Sequence, residues 1–430
     1  MKKIALLLVA VMVLTSMVGC ANKDTGTEAT IEESSEEGGS GGSKIVLAIW
    51  DTIQEPGLRE ICDDFTAETG IEVDIQVTPW EQYWTMLEAG ATGDALPDVF
   101  WMHVREFGKY AEADMLMNLD ERIAASDKID LNNYFEDVTE VYSWENSQYA
   151  IPKDIDSVAL WYNKTHFDEA GVDYPTDDWT WEDMKEAAAK LSEGDTYGTA
   201  SRIMSNQELW YNTVYSLEGY IINDDQTKSG YDDPKTIEGI RYWADLVLDG
   251  YSPDNSVTSE NDLVALFESG TISMSLTGSW IVNEFMKNEY VREHAGVAMI
   301  PKSQEGKRVS IYNGLGYAAS ATTQNQDEAW ALVEYLGSKE AQEKQAELGI
   351  TLSAYKGASD GWADSAEGFD LSPYSKVMED TLVFFPHSKD TTKWLEMSWE
   401  SLVKAWNGDE DVEVVCKEIA EKMNLMLEEE

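Results

Sequence analysis

Residues 44–77 read KIVLAIWDTIQEPGLREICDDFTAETGIEVDIQV. Lys44–Trp50 is an apolar run of strand length carrying β-branched residues. Between Glu55 and Thr69 the spacing turns helical, with Leu58, Ile61, Cys62 and Phe65 on one face, and Gly70 follows as a natural helix-ending residue. Ile71–Val77 alternates with period two, so Ile71, Val73, Ile75 and Val77 share a face. A helix around Gln82–Ala89 comes next, and ATGDALPDVFW (91–101) carries Gly, Asp and Pro into a loop before another strand. Strand–helix–strand–helix–strand is the pattern of an α/β layer on a parallel sheet. In such sheets ligands bind in the crevice at the carboxyl ends of the strands. Trp50-Asp51, Trp80 and Trp101–Arg105 all follow those ends.

The pattern continues with a Pro-containing crossing segment, QYAIPKDIDS (148–157), and the strand VALWYN (158–163). Thr180 stands three residues before Asp183, a capping-box start to a helix. GTISMSLTGSW (270–280), GVAMIP (296–301) and IYNGLGYAAS (311–320) read as strands, with a turn at 303–308. Helices then dominate from Asn325, interrupted by a loop at 356–373. No internal repeat or heptad run is present.

The chain opens MKKIALLLVAVMVLTSMVGC (1–20), two lysines before an apolar run too short to span a bilayer, which reads as a secretory leader. Met17-Val-Gly-Cys20 resembles a bacterial lipobox, which implies diacylglycerol on Cys20. Residues 21–43 hold one isoleucine and no aromatic residue, too little apolar surface to offset ordering, so they form a flexible tether. Its r.m.s. reach is roughly 25 Å. With 82 acidic and 31 basic residues the net charge is −51, which repels nucleic acid and anionic headgroups. Cys62 and Cys416 fall on apolar helical faces and read as small core hydrophobes rather than a disulfide pair.

Taken in order, KIVLAIW, EICDDFTAETGIEVDIQV, ATGDALPDVFWMHVREFGKYAEADMLMNLDERI, YAIPKDIDSVALWYNK, MSLTGSW, GVAMIPKSQEGKRV and QDEAWALVEYLGSKEAQEKQAELG resemble the family 1 extracellular solute-binding proteins of ABC importers, the group containing the maltose-binding protein. The resemblance covers about 44–425. It implies an α/β, two-lobed periplasmic-binding-protein-like (type II) fold, closing by hinge motion around a ligand held between the lobes. One lobe would hold 44–154 and 308–356, the other 155–307 and 357–430.

The same resemblance implies the site. FWMHVREFGKY matches a stretch in which Trp101 and Arg105 contact sugar, with His103 beside them; Val104 stands where the maltose binder has Asp, so hydroxyl bonding there differs. Asp156 in PKDIDS matches a ligand-binding carboxylate, with Asp154 its competitor. Glu208 and Trp210 match an acid and a stacking aromatic. Trp280 matches the stacking residue of a Gly-x-Trp motif, and Trp394 falls near a further aromatic. Asp51 and Tyr83 are placed by position on crevice-facing loops. Trp179 and Trp181 read as packing at a helix start. Indoles cover the C–H faces of sugars, while charged groups bond the hydroxyls.

A neutral oligosaccharide is the expected ligand, delivered by a monomer at the outer face of the cytoplasmic membrane to ABC permease subunits. No cofactor, metal or nucleic acid is expected. Carboxylates are too numerous for any pair to mark a glycosidase, and no HExxH, G-x-S-x-G or P-loop motif occurs. The acidic turn at 223–225 lacks the EF-hand glycine and terminal glutamate. A non-sugar solute binder and a surface adhesin or sensor on the same fold stay open.

Overall fold

The structure, a computed structural model, describes residues 43–93, 95–359 and 361–430. The leader, Cys20 and the tether up to residue 42 lie outside the described residues. The chain runs β1 (Lys44–Ile49), α1 (Glu55–Thr69), β2 (Glu72–Val77), α2 (Trp80–Thr92), β3 (Val99–Met102), α3 (Val104–Glu112) and β4 (Ala150–Pro152). It then passes through β5 (Val158–Asn163), β6 (Met274–Gly278), β7 (Ala295–Met299), β8 (Val309–Tyr312), β9 (Gly316–Ala319) and β10 (Thr381–Phe384). Two long helices, α4 (Thr391–Trp406) and α5 (Val412–Leu427), follow, and further helices fill the intervals.

Two sheets organise two lobes. The first runs β2-β1-β3-β9-β4, with β2 and β3 parallel to β1 and with β9 antiparallel to both β3 and β4. Every residue of β3 is buried, as befits a strand covered on both faces. On α1 the buried side chains are Leu58, Ile61, Cys62 and Phe65, and Gly70 ends the helix at φ 77° with its N–H on Thr66 O at 2.8 Å. The second sheet is antiparallel, β7-β5-β6. Thr180 and Asp183 form the expected capping box, and Trp181 is buried with its indole N–H on Ser216 Oγ at 2.8 Å. Cys62 and Cys416 are both buried and free. Among the described residues no helix is long and apolar enough to cross a membrane.

Between the sheets the chain crosses at 153–157 and returns at 313–315. IYNGLGYAAS is therefore two strands rather than one: β8 pairs with β10, and β9 joins the first sheet. Carboxylates cause the break by taking ladder donors. Asp156 Oδ1 accepts the Asn313 N–H at 2.8 Å, and Asp154 Oδ1 accepts the Leu315 N–H at 2.7 Å. Gly314 lies so close that a Cβ would stand 2.3 Å from Asp154 O, so only glycine fits there.

Lys153 Nζ is fully buried, paired with the Asp154 carboxylate and 3.1 Å from Gln54 Oε1. Removing one partner of such a pair strands the other charge, at a cost of about 3–5 kcal/mol. Asp154→Ala is accordingly expected to lose stability on that scale in urea unfolding; a loss under about 1 kcal/mol, the range of exposed pairs, would show that Lys153 finds compensation elsewhere.

Candidate functional site

The carboxyl ends of the first sheet deliver a row of indoles. Trp50 follows β1, Trp80 opens α2, and Trp101 lies near the end of β3. Trp84 sits one turn beyond Trp80, and that i, i+4 spacing puts both rings on one helix face. Ring centroids step 5.1 Å from Trp101 to Trp50, 4.9 Å to Trp80 and 5.3 Å to Trp84, each contact edge-to-face. Trp50, Trp80 and Trp84 are half-buried, whereas Trp101 has no exposed surface. Its ring is held between Trp50 and the Lys153 ammonium, which stands 4.4 Å from the ring centre.

His103 caps α3, its Nδ1 accepting the Arg105 N–H at 3.2 Å. An imidazole that accepts at Nδ1 while neutral carries its proton on Nε2, which lies 2.7 Å from the Asn313 side-chain amide and can donate only to that amide's oxygen, an acceptor with no other partner among the described residues. Burial, helped by the Arg105 charge, holds His103 well below the usual histidine value, so the ring is the neutral form that the cap needs. Arg105 reaches between two indoles, its guanidinium carbon 5.6 Å from the Trp80 ring and 5.2 Å from that of Trp399 on α4. Burial pulls the Arg105 pKa down, while Glu106, Glu396 and Glu81 act in the opposite sense.

A cavity of about 950 Å³ opens beside this sandwich. Trp80, Trp84 and Arg105 wall it from the first lobe; Arg202, Ile203, Met204 and Asp262 wall it from the second; Glu396, Trp399 and Val403 come from α4. Three of its side-chain donors are buried without a partner among the described residues: Trp84 Nε1, Arg105 Nε and Trp399 Nε1. A buried donor left unpaired costs about 1–3 kcal/mol. The arrangement can thus offer convergent N–H groups and flat aromatic faces to oxygen acceptors. Among the described residues no three His, Cys, Asp or Glu side chains are grouped to hold a metal ion.

The two sides meet at α3 and the start of α4. Thr392 Oγ1 donates to Glu106 Oε1 at 2.7 Å, and Lys389 Nζ pairs with Glu112 at 3.0 Å. Gly108 makes the approach possible, since a Cβ there would stand 2.8 Å from Lys389 O.

Of the ten residues chosen from sequence, Arg105 alone lines the cavity, with His103 adjoining it through Trp80 at 5.4 Å. Asp51 is half-buried, and its carboxylate is occupied by the N–H groups of Ile53 and Gln54. Asp156 serves the crossing, accepting from Gln207 Nε2 at 2.8 Å as well as from Asn313; burial lifts its carboxyl well above the carboxylate range against the pull of those donors. Glu208 is half-buried and raised, again by burial first. Trp280 is half-buried, its ring folded over Gly278.

Tyr83, Trp210 and Trp394, expected at the ligand, are all wholly buried core side chains in the structure. Each has satisfied its polar tip internally: the Tyr83 hydroxyl on Trp101 O at 2.7 Å, the Trp210 indole on Ile203 O at 2.9 Å, and the Trp394 indole on Ser388 Oγ at 2.9 Å. Trp101 is likewise wholly buried, as floor behind the row, but its indole N–H has no partner among the described residues. Trp84 and Trp399 were not selected from the sequence. The spacing Trp80-x-x-x-Trp84 was available as a signal for the former. For Trp399, the signal was its position off the buried stripe Trp394, Leu395, Ser398 and Leu402.

Comparison with known proteins agrees with this architecture. The model of the bacterial extracellular solute-binding protein family matches residues 50–343. A galactooligosaccharide-binding protein of Bacillus subtilis is 24% identical over 79% of this chain and 77% of its own. A maltotriose-binding protein of Pyrococcus abyssi is 26% identical over 73% of this chain and 67% of its own. Among solved structures, an ABC substrate-binding protein of Listeria monocytogenes in complex with cycloalternan superposes with a TM-score of 0.82 at 23% identity, covering 90% of this chain and 99% of that one. With two α/β lobes facing each other across an aromatic cleft, and with the family pattern running through most of its length, this chain belongs to the bacterial extracellular solute-binding proteins.

Proposed function

We propose that the protein captures a neutral oligosaccharide between its lobes and hands it, unaltered, to the permease of an ABC importer. The observation that carries this reading is the pairing of a row of indoles in edge-to-face contact with buried N–H donors that have no partner among the described residues. Sugars supply the complement, flat C–H faces for the rings and hydroxyl oxygens for the donors. The names of the relatives, binders of galactooligosaccharide and maltotriose, support the same ligand class. So does the acidic surface, which disfavours anionic solutes.

Residues 1–20 would direct export and 21–43 would tether the body to lipid on Cys20, at the outer face of the cytoplasmic membrane. The lobes would comprise 44–154 with 308–356 and 155–307 with 357–430, working as a monomer. A complete site would add His103, Asp51, Asp156, Glu208 and Trp280 around the Arg105 sandwich, brought to the ligand by closure.

Calorimetric titration with a panel of neutral oligosaccharides tests the reading, and every bound sugar should be recovered intact. Trp280→Ala and Arg105→Ala are each expected to weaken binding at least about tenfold, roughly 1.4 kcal/mol. Trp210→Ala should instead lower stability by about 3–5 kcal/mol as a core truncation. A panel that produces neither heat nor a change in tryptophan emission would overturn the assignment. Separately, Cys20→Ala should move the protein from the membrane fraction to the culture medium; retention on the membrane would contradict the lipid anchor.

A further inference from the structure

Asn313 lies on the short return between β8 and β9, with 2% of its surface exposed. Its main chain is held by Asp156 in both directions. The Asn313 N–H donates to Asp156 Oδ1 at 2.8 Å, and the Asp156 N–H donates to Asn313 O at 3.1 Å. Gln207 Nε2 donates to the same Oδ1 at 2.8 Å. Those backbone bonds ask only for an N–H and a C=O, so they do not account for a buried amide side chain at this point. That amide meets the His103 ring, 2.7 Å from Nε2. It lines no part of the cavity and touches neither indole of the Arg105 sandwich.

One arrangement satisfies both sides of that ring. Nδ1 must be bare to accept the Arg105 N–H, which leaves the proton on Nε2 and calls for an acceptor there. The Asn313 amide oxygen, buried and otherwise unpartnered among the described residues, supplies it. In the other tautomer Nδ1–H would face the Arg105 N–H, donor against donor, and α3 would lose its cap. We propose that Asn313 is a positioning residue for the cleft: its amide fixes the His103 proton on Nε2, which keeps Nδ1 as the cap of α3 and so holds Arg105, the second residue of that helix, between Trp80 and Trp399. The role rests on the sugar reading above and deepens it. The ring's surroundings suit a neutral imidazole. On its own helix the charged neighbour is Arg105, which with burial opposes a second proton. From α2 the ring meets Trp80 at 5.4 Å, with Glu81 next along the helix. After β10 it meets Phe385 at 6.3 Å, whose carbonyl lies 3.0 Å from His387 Nδ1. Across Asn313, the Asp156 carboxylate is already bonded by two donors.

The test reads the ring itself, by nitrogen NMR of the full chain carrying isotope-labelled histidine, with His103→Gln identifying the signals. In the wild type Nε2 should carry the proton and Nδ1 should stay bare from about pH 8 to about pH 5.5, across the ordinary histidine range. Asn313→Leu removes the acceptor. Its two ring signals should draw together as the tautomers mix, and amide hydrogen exchange at the start of α3 should quicken at least about fivefold, the scale of a lost cap. Calorimetric Kd for the tightest neutral oligosaccharide of the panel should rise by a similar factor. Asn313→Asp keeps an acceptor and adds a negative charge. It should restore the Nε2–H form and the wild-type affinity at about pH 8, but raise the His103 pKa. As pH falls through that raised value the ring gains its second proton, Nδ1 can no longer accept, and Kd should climb relative to the wild type. A wild-type ring protonated on Nδ1, or titrating at the ordinary histidine value, overturns the proposal. So does Asn313→Leu with unchanged ring signals, or with unchanged affinity once those signals have moved. An unmoved titration in Asn313→Asp overturns it too, and decides the matter if the leucine variant fails to fold. Silence from every sugar removes the sugar reading, while the ring and exchange measurements still decide the place of Asn313 at α3.

Discussion

A fully buried ammonium group organises this molecule. Lys153 Nζ lies between the Asp154 carboxylate, the Gln54 amide oxygen and the face of Trp101. A lone cation in such a place would carry a large desolvation cost, so the partners are obligatory. Each partner belongs to a different functional part: Gln54 to the loop after β1, Trp101 to the floor behind the indole row, and Asp154 to the crossing. Gln54 in turn donates to Asp51 at 2.8 Å, and Asp154 receives the Leu315 N–H of the returning strand. Cleft floor and crossing are thereby pinned to one point, and the lobes can be built around it with rigid faces.

From that fixed floor the cleft grows outward by stacking. Edge-to-face contacts hold Trp50, Trp80 and Trp84 in a continuous row without using up their outer surfaces. Arg105 adds the reverse economy: its guanidinium rests on two indoles, and its buried Nε–H has no partner among the described residues, in a chain where carboxylates abound. Neutral His103 completes the design, since a charged imidazole could not accept the Arg105 N–H that starts α3. These side chains are supported by rings and backbone rather than by ion pairs.

Much of this was legible beforehand. The 44–77 stretch folds as its periodicities demand, down to the left-handed Gly70, and the Thr180 capping box closes as its spacing requires. What periodicity cannot reveal is whether a given face meets solvent, a ligand or another helix. Trp210 and Trp394 carry the same residue type as Trp84 and Trp399, but their indole N–H groups find internal acceptors and theirs do not. Only tertiary packing decides that difference. IYNGLGYAAS misled for a related reason: its strand propensity is genuine on both sides of Gly314, and side-chain carboxylates over 150 residues away in sequence interrupt the ladder.

The buried thiols carry one more implication. Burial pushes both Cys62 and Cys416 up to about 12, far from the thiolate form that exchanges with disulfides. Both sit in the hydrophobic core, so among the described residues no thiol is placed to form or shuffle a disulfide. They also leave the described surface blank to thiol reagents. A cysteine engineered on that surface would meet no competing exposed thiol among the described residues, so a dye placed there would report from one chosen site.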